Sequence, residues 1–179
     1  LEELGAVAGP VEGLVGQLGP GAAVAHELEV VERRAAGEQA DAVALARLWS
    51  DPEVTRYMGG PRDPETIRQM IEEDAGTPST MDDLWPIVEK PTRNVIGHCG
   101  LLRKDVDGRE EVEVVYVLAR QAWGRGYATE MAGALRDYAF QQAGLSRLIA
   151  LIDPQNAASA RVAMHIGMHR EKETLRPGG

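Results

Sequence analysis

Apolar and β-branched residues crowd into three short runs in the middle of the chain: LWPIVEK (84–90), NVIGHCGLLRK (94–104) and EVEVVYVL (111–118). Runs of this kind read as strands, and the Pro91-Thr92-Arg93 and Asp107-Gly108 breaks are short enough for hairpin connections. The pattern predicts three antiparallel strands in a meander. On either side the period becomes helical. Ala42, Leu45, Ala46 and Trp49 share one face of 39–49. Ile67, Met70 and Ile71 do the same in 63–73, where Asp63 stands at a capping position and Pro64 at the first helical one. Ala128, Met131, Leu135, Tyr138 and Ala139 mark a longer helix that ends at Gly144, a C-cap residue.

LSRLIALI (145–152) carries apolar residues without clean alternation, as a strand buried on both faces does. Asn156 then takes an N-cap position ahead of AASARVAMHI, and Gly167 closes that short helix. Strand, helix, strand in this order places 112–118 and 146–152 as a parallel pair. The expected fold is α/β, a mixed and mostly antiparallel sheet with helices on both faces. LEVVERR, within 26–34, is expected to supply a first strand. Residues 1–25 mix Gly, Ala, Val and Pro without a sustained period, and we expect a poorly packed segment ahead of one domain over 26–179. The first residue is Leu1 and not Met, so a fragment or processed product is expected.

Composition narrows the function classes. A chain of 179 residues suits one domain, and with only 4% aromatics its core must be built from aliphatic side chains. A net charge of −9 argues against nonspecific nucleic-acid binding, which rewards clustered cations. The single Cys99 excludes an internal disulfide and any cysteine-based metal cluster, and fits a reducing compartment. No apolar run approaches the roughly 20 residues that span a bilayer, and the 179 residues do not show the basic-then-apolar order of a secretory signal. A cytoplasmic protein is expected, acting on neither nucleic acid nor membrane. His98, His165 and His169 show no metal-ligand spacing with Cys99, so no metal is expected, and Cys99 reads as core.

The chemically informative residues are Gln121, Gly124 and Gly126, a Gln-x-x-Gly-x-Gly between a strand and a helix. Glycines there let backbone approach a ligand, and the first free N–H groups of the helix attract phosphate. The same glycines would serve a tight helix-starting turn that binds nothing. The spacing is not a Walker loop, which needs Gly-Lys-Ser/Thr, nor a dinucleotide fingerprint, which needs a third glycine.

The block VEVVYVLARQAWGRGYATEMAGALRDYAF, followed by LIALIDPQNAASARVAMHIGM, resembles motifs A and B of the GNAT superfamily of N-acetyltransferases. It is most similar to the branch that includes ribosomal-protein alanine and serine N-acetyltransferases, as are SDPEVTRYM (50–58) and GHCGL (97–101). The resemblance covers about residues 28–170. It implies a GNAT-like sheet with a V-shaped splay between the two parallel strands, and acetyl-CoA as acyl donor. In similar proteins backbone amides matching Gln121 to Ala128 hold the pyrophosphate, which places Gln121, Gly124, Arg125, Gly126, Tyr127 and Ala128 at the cofactor. The N–H of Val117 or Leu118 would polarise the thioester carbonyl. Glu113 matches a strand glutamate that serves relatives as general base. Ser159 matches a hydroxyl near the sulfur, and Asn156 a cofactor contact. Arg120 and Arg125 would add side-chain positive charge for the anionic cofactor. Each has a plainer alternative: an exposed strand face for Glu113, a capping turn for Asn156 and Ser159, a solvated side chain for Arg120 and Arg125.

The resemblance implies transfer of acetyl from acetyl-CoA to a primary amine of a protein N-terminus or small molecule, by direct attack in a ternary complex. A monomer or homodimer is expected. The alternative is a non-catalytic acyl-CoA-binding sensor or interaction module. Departures from the family pattern are Val115, where relatives have Gly, and His165-Ile166-Gly167-Met168 in place of Lys-x-Gly-Phe. Similar proteins also continue into a final pair of strands. Here 169–174 is expected to form one strand without a partner, exposing a sheet edge.

Overall fold

Alternation along the middle of the chain becomes paired strands in the computed structural model, which describes residues 2–8, 28–30, 39–73 and 82–175. In chain order the elements are β1 (Glu2–Ala8), β2 (Leu28–Val30), α1 (Gln39–Ser50), α2 (Pro64–Glu73), β3 (Leu84–Glu89), β4 (Val95–Val106) and β5 (Arg109–Leu118). They continue with α3 (Tyr127–Gln141), β6 (Leu148–Ile152), α4 (Ala157–His165) and β7 (His169–Leu175), and a single 3₁₀ turn, Arg120–Ala122, precedes α3. The strands form one sheet in the order β2-β3-β4-β5-β6-β1-β7. Every neighbouring pair is antiparallel except β5 and β6.

β3, β4 and β5 are the expected meander. The β4–β5 turn is a two-residue one with both φ positive, 54° at Asp107 and 75° at Gly108, the twist that hairpins favour. Asp63 caps α2 by accepting the amide of Thr66 at 2.8 Å. All five residues of β6 are buried, as a strand covered on both faces requires.

Helices cover both faces. Met131, Leu135 and Ala139 of α3 and Ala163 of α4 pack with Cys99, Leu101, Val112, Val114, Leu148 and Ala150. On the opposite face Leu45, Leu48 and Trp49 of α1 pack on Val117, with Val115 and Leu84 beside them. The parity of each strand residue thus assigns it to a face. Val112, Val114 and Leu118 look toward α3, and Glu113, Val115 and Val117 toward α1.

Two expectations change. Of the first strand expected within 26–34, the structure gives β2 at Leu28–Val30, and residues 31–34 lie outside the described ones. The missing partner of β7 is supplied from the other end of the chain: β1 lies between β6 and β7, with Leu4 opposite both Ile152 and Glu173. A one-strand gap left by the β6-α4-β7 connection is therefore filled. The residues at 2–8 that showed no period are part of the sheet, and residues 9–25 lie outside the described ones.

Candidate active site

The parallel ladder between β5 and β6 consists of one pair, Glu113 with Ile149. Past it the strands part, which is the expected splay between the two parallel strands. The direction of the freed peptide groups follows from the β4–β5 register. Ala119 N–H donates to the Ile96 carbonyl at 2.8 Å, and antiparallel pairs alternate in their bonding. Val117, opposite His98, therefore turns its N–H toward β4, whereas Tyr116 and Leu118 turn theirs into the opening. Of the two candidate oxyanion donors, only the Leu118 amide faces the slot. The Leu118 carbonyl accepts the indole N–H of Trp123 at 2.7 Å, which folds the following loop back onto the strand.

That loop is shaped by glycine. Gly124 has φ 73° and Gly126, the N-cap of α3, has φ 82° and ψ −7°, a left-handed conformation that side chains disfavour. The amides of Ala122 and Trp123 are taken up by Ala119 and Arg120 carbonyls, and Glu130 N–H donates to Gly126. Among the described residues, no backbone hydrogen bond is donated by the amides of Gly124, Arg125, Gly126, Ala128 or Thr129. No side chain caps the helix. These five amides at a helix N-terminus form a binding surface for an anion such as a diphosphate.

Two cavities flank the splay. One, of about 600 Å³, is lined by Leu118, Trp123, Gly124, Gly126 and Ala128 at the loop and by Val162 across it. The other, of about 1020 Å³, opens on the α1 and α2 side and is lined by Trp49, Leu84, His98 and Glu113. Tyr57, Met58, Tyr116, Asn156 and Ser159 line both, so the two make one cleft through the sheet. Glu113 is half-buried in the second cavity, on the same face as Leu102, its partner on β4. Asn156 accepts the Ser159 amide at 3.1 Å, and is thus an N-cap and a cleft wall together. Tyr116 donates its hydroxyl to the Ser159 carbonyl at 3.2 Å, tying β5 to α4 where the cavities meet. Burial pushes its phenol pKa well above the ordinary value, with help from the nearby Glu113 charge, so Tyr116 stays protonated.

Gln121 is exposed on the 3₁₀ turn and lines neither cavity. Arg125 pairs with the buried carboxylate of Glu89 at 2.8 Å and lies 4.6 Å from the Tyr127 ring centroid. Tyr127 is buried and donates its hydroxyl to the same carboxylate at 2.7 Å. Cys99 is buried on the α3 face, and burial pushes its thiol pKa up, so it offers no thiolate. Among the described residues no cluster of metal-ligating side chains occurs.

Sequence reading passed over Glu89 and weighed His98 only as a metal ligand. Glu89 continues the Trp85, Ile87 alternation onto the α3 face, which was the available signal for a buried carboxylate. His98, buried in the larger cavity, accepts the Trp49 indole N–H on Nδ1 at 3.1 Å, so its neutral form carries the proton on Nε2. No local pattern marks a contact across 49 residues.

An Acetyltransferase (GNAT) domain model matches residues 33–169. This chain belongs to the GNAT acetyltransferase family. A protein of Bacillus licheniformis, "Uncharacterized N-acetyltransferase p20", is 35% identical over 145 residues, 75% of this chain and 76% of that protein. "Uncharacterized protein YkkB" of Bacillus subtilis is 34% identical over 143 residues, covering 79% of this chain and 83% of its own length. Among solved structures, an acetyltransferase (GNAT family) from Bacillus anthracis superposes with a TM-score of 0.69 at 27% identity, over 83% of this chain and 84% of that one. As a GNAT member the chain is an acetyl-CoA-dependent acyltransferase that transfers acetyl to an amine.

Proposed function

We propose that the chain moves the acetyl group of acetyl-CoA to a primary amine of a protein N-terminus or small molecule, by direct attack in a ternary complex in the cytoplasm, as a monomer or homodimer. The observation that carries this reading is the through-cleft, whose smaller arm ends at the glycine loop and the first turn of α3 and whose larger arm holds Glu113. The diphosphate of the donor meets Gly124, Arg125, Gly126, Tyr127 and Ala128 N–H groups, and the pantetheine runs along the open edge of β5 beside Val117 and Leu118. Asn156 holds the N-terminus of α4 against it.

Glu113 accepts a proton from the ammonium form of the acceptor, directly or through water, since only the neutral amine attacks a thioester. As the C–N bond forms, the Leu118 N–H stabilises the oxyanion. The tetrahedral centre collapses with loss of the C–S bond, and the surplus proton of the attacking nitrogen passes through the Ser159 hydroxyl, which gives one proton and takes one, to the leaving thiolate. No acetyl-enzyme forms, in keeping with the inert Cys99.

The test is release of free thiol from acetyl-CoA against a panel of amines, with calorimetric binding of coenzyme A in parallel. Amine-dependent thiol release is expected, lowered ~10²-fold or more in Glu113→Gln with coenzyme A affinity unchanged. Coenzyme A binding without turnover for every amine would show the acyl-CoA-binding module instead, and no binding would remove the reading altogether.

A further inference from the structure

The amides that face the cleft are directed by a loop whose residues 123–126 are all exposed, so something must hold it. On one side Trp123 ties it to the Leu118 carbonyl. On the other stands Glu89, at the end of β3 and 6% exposed. Its carboxylate takes three donors: the Thr92 hydroxyl at 2.6 Å, the Tyr127 hydroxyl at 2.7 Å and the Arg125 guanidinium at 2.8 Å. Arg125 and Tyr127 are the two neighbours of Gly126, and Arg125 also stacks on the Tyr127 ring.

We infer that Glu89 is a positioning residue for the coenzyme: by gripping Arg125 and Tyr127 on either side of left-handed Gly126, it fixes the direction of the amides that receive the diphosphate. A carboxylate close to an anion site would repel the ligand if its charge stood alone. Here it is spent on a guanidinium and two hydroxyls, and Thr92 belongs to the β3–β4 turn, so the grip is anchored in the sheet. Arg125 thereby changes role, from a direct phosphate ligand to part of the clamp. The inference rests on the reading that the 124–129 amides bind the diphosphate.

Glu89→Gln keeps the shape but removes the charge, and Tyr127→Phe removes one donor while keeping the ring. Coenzyme A binding by calorimetry and steady-state kinetics with acetyl-CoA are measured for both and for the parent. The dissociation constant for coenzyme A and the KM for acetyl-CoA should rise about tenfold in Glu89→Gln and by a smaller factor in Tyr127→Phe, the expected scale for losing charge-assisted hydrogen bonds. The kcat at saturating acetyl-CoA and the KM for the amine should stay within about twofold. Folded variants that bind coenzyme A as tightly as the parent overturn the inference, even if their melting temperature falls. Should Glu89→Gln fail to fold, Tyr127→Phe alone decides by the same criterion. A parent that binds no coenzyme A would instead refute the cofactor reading itself.

Discussion

Replacing Gly126 by alanine separates the strain in the loop from its function. The residue sits at φ 82°, and a Cβ built there meets nothing within 4 Å, so the alanine finds room and its whole penalty is conformational. A single left-handed non-glycine residue costs about 1–2 kcal/mol. The loop can either store that strain or escape it by rotating to negative φ. Rotation would pull Arg125 or Tyr127 away from the one carboxylate that both share with Thr92, and would leave that carboxylate buried with fewer partners. Storage is therefore the expected outcome. The melting temperature, followed by circular dichroism, should fall by roughly 2–8 °C, using the entropy scale of a domain this size. Calorimetric affinity for coenzyme A should change less than about threefold, because the amides keep their direction. In a Glu89→Gln background the same alanine should cost less stability and more affinity, since the loop is free to relax. Loss of coenzyme A affinity by tenfold or more in the single variant, with an unchanged melting temperature, would refute the reasoning.

Leu135 is completely buried between α3 and the sheet, and Leu135→Ala should destabilise by about 2–5 kcal/mol in urea titration, a shift below 1 kcal/mol being incompatible with the packing described. Acid should destabilise the fold through its partnered carboxylates. Hydrogen bonds from Thr92 and Tyr127, then Arg125, hold Glu89 below its ordinary 4.5, and Lys172 and Thr174 hold Asp107 below 3.8. A depressed folded pKa means stability that is complete above the ordinary value and is lost as pH falls through the folded one. Desolvation raises Asp41 and gives it the opposite sign. The melting temperature should thus hold down to about pH 4.5 and decline below it, less steeply in Tyr127→Phe, where part of the Glu89 shift is gone.

Much of the architecture was legible because it rests on local rules. β3, β4 and β5 declare themselves by β-branched runs closed with Asp107-Gly108, α3 by apolar residues at helical spacing, β6 by an unbroken apolar stretch. The glycines at 124 and 126 marked the loop. Contacts between residues far apart in sequence were not legible. β1 has no alternation of its own, and its place is set by a gap between two strands more than 140 residues away. Arg125 resembled a phosphate ligand in sequence, whereas the fold presents it to Glu89. The choice between Val117 and Leu118 depended on which amides β4 consumes, a matter of register that composition does not carry.

The position of β1 has a consequence for how the far side of the sheet holds together. Neighbouring strands lie ~4.8 Å apart, so β6 and β7 stand roughly twice that distance from each other and share no ladder. β7 is fastened by the ladder it shares with β1, and by Lys172 and Thr174, which reach Asp107 at the tip of the β4–β5 hairpin. Joining β1 to its neighbours closes a loop of about 150 residues, whereas the β4–β5 hairpin closes over Asp107-Gly108, so the long-range pairing carries the larger loop-closure entropy. The sheet is thus a keystone arch: its stone comes from the opposite end of the polypeptide, and without it the terminal strand leans on the hairpin tip and on the Arg147–Glu171 ion pair in place of a ladder.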